Sequence, residues 1–225
     1  DLGADAVLVQ DLGVLRAVKQ AAPDLPLHAS TQMTVHNLDG VKVCADLGMT
    51  RAVLSRELSA EAIGYICDHS PIEIEVFGHG ALCMCYSGQC YFSAVVGERS
   101  GNRGLCAQPC RMKYGWGGKP DGYPLSLKDM CLAGRVRQLR KLGVACLKLE
   151  GRMKRPEYVA VITRIYASLI KEDRMPTAGE LRDLETAFSR NGFTQDYFDG
   201  KKGPQMFGTR DEKTPEPKEL IAQAR

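Results

Sequence analysis

One stretch of the chain, residues 81–110, holds five of its nine cysteines. Four of them follow the spacing Cys83-x6-Cys90-x15-Cys106-x3-Cys110, so four thiolates fall within one glycine-containing segment. Four thiolates form a complete ligand set for Zn²⁺ or for an iron-sulfur cluster. Zinc sites often use C-x2-C pairs, which this segment lacks, so the spacing favours a 4Fe-4S cluster. Zinc and unligated thiols are the alternatives.

The local sequence also predicts how the four thiols are arranged. Cys83 and Cys90 lie at the two ends of a short turn that contains Gly88, and Cys106 and Cys110 are spaced by about one helical turn. Each pair can therefore face the same centre. We expect these four cysteines to be the metal ligands.

The composition excludes several classes of protein. The 225 residues are 44% hydrophobic and 25% charged, with a formal net charge of +3, which is typical of a globular protein. No apolar run approaches the roughly 18 residues that cross a bilayer, and no basic, apolar leader opens the sequence. We therefore expect a cytoplasmic protein with no membrane partner. In a reducing compartment, clustered cysteines more often bind metal than form disulfides.

Short strand patterns alternate with amphipathic helix patterns along most of the chain. Strands are predicted at 4–10, 25–30, 51–55, 72–78 and 145–150, and helices at 12–22, 37–48 and 59–69. Asn37 and Ser59 are predicted N-caps, and Cys131 lies on a helix pattern. This alternation predicts an α/β fold with a parallel sheet. We interpret it as a partial (β/α)8 TIM-type barrel, strands 4 to 8, with an inserted cysteine-rich loop.

Polar residues follow the predicted strands, where barrel enzymes place their chemistry. The candidate catalytic residues are His28, Gln32, Arg56, Glu57, His79 and Glu150. The candidate substrate-binding residues are Ser30, Arg111, Lys128, Arg152 and Lys154. No G-x-G-x-x-G motif follows a strand, which argues against a dinucleotide site.

Basic residues predict an anionic partner. Two runs carry a surplus of positive charge, one over residues 99–119 and one over residues 135–155, the latter including Arg135, Arg137 and Arg140. Such clusters neutralise RNA phosphates, although a helix face can also be charged only for solvation. Arg152 and Lys154 follow the last predicted strand, where they can clamp a dicarboxylate or a phosphate.

The remainder of the chain divides into three predicted regions. Residues 1–172 form the barrel portion, with its cysteine-rich loop at 79–118, and residues 173–200 form a helical extension. Residues 201–225 are rich in glycine and proline, which predicts a linker or the start of a further segment.

Several of these segments together resemble peptidase family U32. They are "EVFGHGALCMCYSGQC", "GNRGLCAQPCRMKY", "LKLEGRMKRPEYV", "HASTQMTVHN" and "FSRNGFTQDYFDG". The family is named for collagenase-like proteases, but its better-understood bacterial members act in hydroxylation of transfer RNA wobble uridine, of a ribosomal RNA cytidine and of ubiquinone precursors. The resemblance implies a 4Fe-4S cluster, and for the RNA members a link to prephenate. Cys83 and Cys90 match the family motif directly, with Cys106 and Cys110 as the second pair; family members begin with three further barrel strands.

Protease chemistry finds little support in the residues. Ser30 beside His28, or Cys83 beside His79, offers a nucleophile and a base, but no G-x-S-x-G turn and no H-E-x-x-H motif is present. We therefore predict iron-sulfur-dependent hydroxylation of RNA, either transfer RNA or ribosomal RNA. A collagenase-like peptidase and a non-catalytic RNA-binding iron-sulfur protein remain the alternatives, and the oligomeric state is left open.

Overall fold

The computed structural model describes residues 3–117, 119–151 and 154–210, together with Leu220 and Ala222. The chain forms two compact units, each built from separated segments. The first unit comprises Asp1–Val76, Cys85–Ala107 and Leu142–Leu147, and the second comprises Phe77–Met84, Gln108–Lys141 and Lys148–Arg225. The cysteine-rich stretch is therefore divided, with its middle in the first unit and its two ends in the second.

Both units contain strands and helices. The described strands are β1 (Val7–Val9), β2 (Leu27–Ala29), β3 (Arg51–Val53), β4 (Glu73–Ala81), β5 (Tyr114–Trp116), β6 (Lys119–Gly122), β7 (Asp129–Cys131), β8 (Cys146–Leu149) and β9 (Phe193–Thr194). The described α-helices are α1 (Leu12–Ala21), α2 (Leu38–Asp46), α3 (Ala60–His69), α4 (Phe92–Gly97), α5 (Val136–Lys141), α6 (Pro156–Glu172) and α7 (Ala178–Ala187). All five strands that the sequence predicts are present, as β1 to β4 and β8.

The first unit contains three of the parallel strand pairs of the sheet. Strand β1 pairs with β2, β2 with β3 and β3 with the start of β4, all in parallel. In the second unit the end of β4 pairs antiparallel with β7, and β7 pairs parallel with β9. Strand β8 also pairs with β4, and β5 and β6 form a separate antiparallel hairpin.

This topology confirms the α/β class and its mainly parallel sheet, but the strands that the structure describes do not close into a barrel. Within the described residues, β1 and β9 are the two ends of an open ladder. The prediction that Cys131 lies on a helix was wrong, because it belongs to β7 and pairs with His79. Periodicity does not separate a short apolar strand from a buried helix segment, which explains the error.

Side-chain caps set the starts of α2 and α3 in the first unit. Asn37 Oδ1 accepts a hydrogen bond from Gly40 N–H at 2.8 Å, and Ser59 Oγ accepts one from Ala62 N–H at 3.2 Å. Both residues were predicted as N-caps, and both satisfy a backbone donor that the helix leaves without a partner. The caps fix where α2 and α3 begin, and therefore where the loops that follow β2 and β3 end.

Helix α6 supplies much of the core of the second unit. Pro156 occupies its first turn, where the missing N–H is not needed. Its buried residues are Tyr158, Val161, Ile162, Ile165, Tyr166 and Leu169. Although α6 is the longest described helix, neither it nor any other helix in the described part of the chain is long and apolar enough to cross a membrane.

Candidate functional site

Two of the predicted metal ligands lie in the first unit, around the turn that follows α4. Ser93 Oγ lies 3.7 Å from Cys106 Sγ, to which it donates, and it accepts a hydrogen bond from Ala107 N–H at 3.0 Å. A Cβ added to Gly101 would lie 3.7 Å from Cys106 Cβ and 4.0 Å from the Cys90 carbonyl oxygen. Cys90 and Cys106 therefore flank the same turn, and a hydroxyl is already directed at one of the sulfurs.

A third thiol lies beside this pair. Burial raises the pKa of Cys85, and the neighbouring sulfur of Cys90 raises it further through charge and a hydrogen bond. Cys85 is therefore held in its neutral thiol form unless a metal replaces its proton. The sequence spacing set Cys85 apart from the ligands, whereas the structure places it in contact with one of them.

The other two predicted ligands lie in the second unit, near one buried cation. Arg111 donates hydrogen bonds to the carbonyl oxygens of Leu82 and Leu127, which follow β4 and precede β7. Cys83 and Cys110 both lie within electrostatic range of its guanidinium. An adjacent arginine stabilises a thiolate over a thiol, so Arg111 favours the ligand form of both cysteines.

The four predicted ligands thus group as Cys90 with Cys106 and Cys83 with Cys110, rather than by nearness in sequence. Among the described residues, no three side chains of His, Cys, Asp or Glu stand close enough together to hold one metal ion. A 4Fe-4S cluster takes one thiolate per iron, so its ligands stand farther apart than those of a single ion. Every cysteine is free of a disulfide.

In the first unit, residues after β3 hold the cysteine-rich loop in place. Ser87 Oγ accepts hydrogen bonds from Arg56 N–H at 3.2 Å and from Arg56 Nη1 at 3.3 Å. Ser87 in turn donates to Glu57 Oε1 through both its N–H and its hydroxyl, each at 3.0 Å. The structure therefore brings Arg56 and Glu57 together on Ser87, a residue that the sequence analysis missed because nothing in its local pattern marks it.

The loop also contacts the turn after β2. Gly88 has φ +81°, and a Cβ there would lie 2.5 Å from Thr34 Oγ1 and 2.8 Å from the Gln32 carbonyl oxygen. Ser30 caps this turn, since its Oγ accepts from Gln32 N–H at 3.2 Å. Three buried side-chain atoms after β2 and β3 have no hydrogen-bond partner among the described residues, namely Thr31 Oγ1, Gln32 Oε1 and Ser55 Oγ. Buried polar atoms without partners suggest a place for a polar ligand or water.

His28 lies in a different environment from these residues. It is the middle residue of β2 and pairs with Arg51 of β3, which forms an ion pair of 2.6 Å with Glu73. Burial lowers the pKa of His28, and the charge of Arg51 lowers it further against the opposing charges of Glu75 and Glu73. His28 thus lies beside a row of charged residues on β3 and β4, and its own charged form is disfavoured.

A second polar group lies in the second unit, around Asp129 of β7. Arg190 Nη1 lies 2.6 Å from Asp129 Oδ1, and both side chains are almost completely buried. Lys154 Nζ lies 2.7 Å from the centre of the Phe188 ring, and Arg190 Cζ lies 4.9 Å from it. Burial lowers the pKa of Lys154 to about 7, with repulsion from Arg190 as the next cause. The amine therefore titrates near neutrality.

His79 lies buried in the same unit with a defined hydrogen bond on one side only. Tyr166 Oη donates to the Gly78 carbonyl oxygen at 2.8 Å, so it accepts from His79 Nδ1–H at 3.3 Å. This assigns the proton to Nδ1 and leaves Nε2 as an acceptor, for which the described part of the chain provides no hydrogen-bond partner. Burial lowers the pKa of His79 to about 3, aided by the charge of Lys154. The ring is therefore neutral near pH 7.

Two further predicted site residues, Glu150 and Lys128, lie in the second unit. Glu150 donates its backbone N–H to the His79 carbonyl oxygen at 2.9 Å. Gly80 has φ +124°, and a Cβ added to it would lie 2.5 Å from the Cβ of Glu150. Lys128 donates its backbone N–H to the Met206 carbonyl oxygen at 2.8 Å. Arg152 lies outside the described residues.

The arginines of the second basic run have acidic partners that the local sequence does not show. Arg135 Nη2 lies 2.9 Å from Asp199 Oδ1, and Arg140 Nη1 lies 3.0 Å from Asp173 Oδ1. Arg137 donates to the backbone carbonyl oxygen of Asp173. The run is therefore partly neutralised within its own unit.

Comparison with known proteins decides the family. The sequence profile of peptidase family U32 matches residues 1–207. The chain belongs to peptidase family U32. The U32 chain is 32% identical over 234 residues to tRNA hydroxylation protein P1 of Bacillus subtilis (strain 168), which covers 95% of this chain and 55% of that protein.

Two further relatives carry different names. The U32 chain is 40% identical over 174 residues to 23S rRNA 5-hydroxycytidine C2501 synthase of Escherichia coli (strain K12), with 75% of this chain and 26% of that protein covered. It is 31% identical over 222 residues to Collagenase of Porphyromonas gingivalis (strain ATCC BAA-308 / W83), with 88% and 53% covered. The chain thus spans about half the length, or less, of these relatives.

Proposed function

We propose that this U32 chain is part of an enzyme that hydroxylates a nucleobase of RNA, in transfer RNA or in ribosomal RNA. The observation that carries the proposal is its similarity to two relatives whose names state RNA hydroxylation, one over 95% of the chain and one at 40% identity. The buried cations of the second unit support it, because they suit an anionic substrate. Comparing the RNA nucleosides of a deletion strain with those of its parent by mass spectrometry tests the proposal.

The contacts of the site argue against a peptidase. Ser30 Oγ serves as a cap for the Gln32 backbone, and the charges around His28 are those of Arg51, Glu75 and Glu73. His79 is neutral, and Tyr166 occupies its Nδ1. A serine or cysteine peptidase instead needs its base hydrogen-bonded to the nucleophile. Cleavage of casein or denatured collagen by the purified protein would favour the alternative that the relative named Collagenase represents.

As cofactor we propose a 4Fe-4S cluster held by Cys83, Cys90, Cys106 and Cys110, which would supply one-electron transfers. The proposal rests on the four thiols, their spacing and the family resemblance, with zinc as the alternative. Arg111 near two of the sulfurs and Ser93 near a third are groups of the kind that tune a cluster.

Absorbance and metal analysis of anaerobically purified protein test this cofactor. We expect a brown protein with a broad visible band, and we expect alanine at any of the four ligands to remove the colour. Cys85→Ala is the matched control and should stay brown. Stoichiometric zinc without iron, or bleaching by Cys85→Ala while Cys83→Ala stays brown, would overturn the assignment.

The remaining parts of the proposal concern partners and the whole protein. We propose that RNA binds through basic residues and that a dicarboxylate such as prephenate is the small-molecule partner. The five predicted strands occur as sequential neighbours, with β1 to β4 in order and β8 on β4, as they would in part of a barrel. We therefore propose that the chain contributes strands to a barrel in a longer protein. An RNA-binding protein without catalysis would bind RNA and leave the nucleosides of the deletion strain unchanged.

A further inference from the structure

A tight turn in the first unit brings Cys85 and Cys90 alongside each other. The Gln89 N–H donates to the Tyr86 carbonyl oxygen at 3.1 Å, and Gly88, the third residue of this turn, has φ +81°. A positive φ at the third residue is typical of a type II turn, in which the α-carbons of the first and fourth residues lie within about 7 Å of each other. The chain therefore reverses direction between the two cysteines.

The side chains of the two cysteines are in contact beside this turn. Cys85 and Cys90 share a side-chain hydrogen bond, and neither is part of a disulfide. A disulfide requires α-carbons about 4.4–6.8 Å apart and side chains that point towards each other. A turn of this size with its flanking sulfurs in contact therefore suits a disulfide between them.

Contacts with the rest of the first unit hold the turn in place. Ser87 is buried and bonded to the residues that follow β3. Gln89 Nε2 donates to Thr34 Oγ1 at 2.8 Å, and Asn102 Nδ2 donates to the Gly88 carbonyl oxygen at 3.1 Å. Because the turn is already ordered, joining the two sulfurs costs little further conformational entropy.

The pair can be reached from solvent. Cys85 and Cys90 are half-buried, and Tyr86 and Tyr91 beside them are 72% and 64% exposed. Reactive cysteines are partly exposed, whereas fully buried ones are inert. A small oxidant can therefore approach these two sulfurs.

We propose that Cys85 and Cys90 form a reversible disulfide when neither sulfur holds a metal, with the disulfide of a small thiol, such as oxidised glutathione, as the oxidant. The sulfur of one cysteine attacks oxidised glutathione, whose S–S bond breaks and releases one glutathione thiolate. The other cysteine loses its proton and attacks the first sulfur, which releases the second glutathione thiolate. Two protein thiols are thus oxidised by two electrons, and oxidised glutathione is reduced to two thiols, which take up the two protons.

The inference goes beyond the proposed function, because the disulfide needs neither RNA nor a cofactor. Its consequence concerns the proposed cofactor, since Cys90 cannot bind iron while its sulfur is in the disulfide. Cys85 then keeps Cys90 in a form that reduction restores. A single thiol without such a partner can instead oxidise irreversibly to a sulfinic or sulfonic acid.

Peptide mapping tests the disulfide. Full-length protein is treated with a chelator to remove bound metal, incubated with an excess of oxidised over reduced glutathione, alkylated, and digested with chymotrypsin without reduction. Because chymotrypsin cleaves after Tyr86 and Tyr91, a bond between Cys85 and Cys90 joins two separate peptides. We expect Cys90 to be linked to Cys85 at least about tenfold more often than to Cys106, since sulfurs in contact have the higher effective concentration.

Two results would overturn the proposal. One is a Cys90 that remains alkylated or carries glutathione after this oxidation, and the other is a Cys90 that is linked mainly to Cys106. A link that excess reduced glutathione fails to remove would contradict its reversibility.

Variants confirm the assignment of the peptides. We expect Cys85→Ser to lose the linked peptides and to leave Cys90 as a mixed disulfide with glutathione. Cys67→Ser is the matched control, because Cys67 is also a half-buried thiol of the first unit, on α3, and it should give the wild-type amount of linked peptides. Linked peptides of unchanged mass and amount in Cys85→Ser would contradict the pairing.

Failure of this inference and failure of the proposed cofactor give different results. If the linked peptides form but anaerobically purified protein holds no iron, the disulfide stands and the cluster is wrong. If that protein is brown but no link forms after chelation and oxidation, the cluster stands and the disulfide is wrong.

Discussion

At the scale of single residues, burial lowers the pKa of both Lys154 and His79. Water is removed from both side chains, and neighbouring positive charge adds to the effect. The pKa of Lys154 falls to about 7 and that of His79 to about 3. The second unit therefore holds a neutral imidazole beside an amine that can gain or lose a proton near neutral pH, which is a property of functional sites.

Lys154 should make stability depend on pH. Its pKa is about 7 in the folded protein and 10.5 for an unperturbed lysine, so between these limits the unfolded chain binds more protons and stability rises with pH. The charged groups that face it are Arg190, Asp129, Arg210 and Arg111, and the neutral imidazole of His79 is the other titratable group beside it. Urea unfolding from pH 7 to 10 should show a contribution of at most about 1.4 kcal/mol per pH unit that Lys154→Met removes. The same pH dependence in the variant would show that Lys154 is not perturbed.

Sequence reasoning selected three members of this group of residues as candidates. His79, Arg111 and Lys154 were predictable because polar residues after strands tend to share one edge of a sheet. Asp129 and Arg190 were not, because they are 61 positions apart and each is ordinary in its local context. A buried ion pair between distant residues becomes visible only when the strands are paired.

At the scale of elements, the cysteine-rich loop is fixed by the turns after β2 and β3. Ser87 binds Arg56 and Glu57, while Gly88 lies against Thr34 and Gln32. The sequence predicted β1 to β4, β8 and several helix starts, since these depend on local periodicity and caps. It did not predict α4 within the loop, β7 as an antiparallel strand or the hairpin of β5 and β6, because their pairing and packing involve residues outside the local pattern.

Gly88→Ala tests how the loop is held. Gly88 has φ +81°, and a methyl group would lie 2.5 Å from Thr34 Oγ1, so we expect destabilisation of about 1–3 kcal/mol. Hydrogen exchange should accelerate across residues 85–107. Gly97→Ala is the control, since its Cβ meets nothing within 4 Å and helix α4 tolerates alanine. Equal exchange in both variants would contradict the proposed docking.

At the scale of the whole molecule, the modest net charge of +3 conceals local surpluses of positive charge. The positive charges of Arg135, Arg137 and Arg140 are partly neutralised by contacts with Asp199 and Asp173. RNA phosphates would therefore compete with existing partners at this surface. The charge pattern that predicted RNA binding could not show these partners, because they lie more than 30 positions along the chain.

RNA binding at different salt concentrations tests whether this surface contributes. We expect alanine at Arg135, Arg137 and Arg140 together to lower the affinity for RNA. The slope of the logarithm of the binding constant against the logarithm of the salt concentration should become shallower by about 0.7–0.9 for each phosphate that is no longer neutralised. The control replaces Arg16, Arg164 and Arg182 by alanine. These three arginines are exposed, and replacing them removes the same amount of positive charge. If the control and the triple variant give the same slope as the wild type, the run serves only solvation.

The most direct test of RNA hydroxylation combines the deletion strain with the cysteine variants. The strain is complemented with the full-length wild type, with Cys83→Ala, Cys90→Ala, Cys106→Ala or Cys110→Ala, or with Cys85→Ala, and RNA nucleosides are measured by mass spectrometry. We expect a hydroxylated uridine or cytidine to disappear on deletion, to return with the wild type and with Cys85→Ala, and to stay absent with the other four. An unchanged nucleoside profile in the deletion strain would contradict RNA hydroxylation, and rescue by all four ligand variants would contradict its dependence on the thiols.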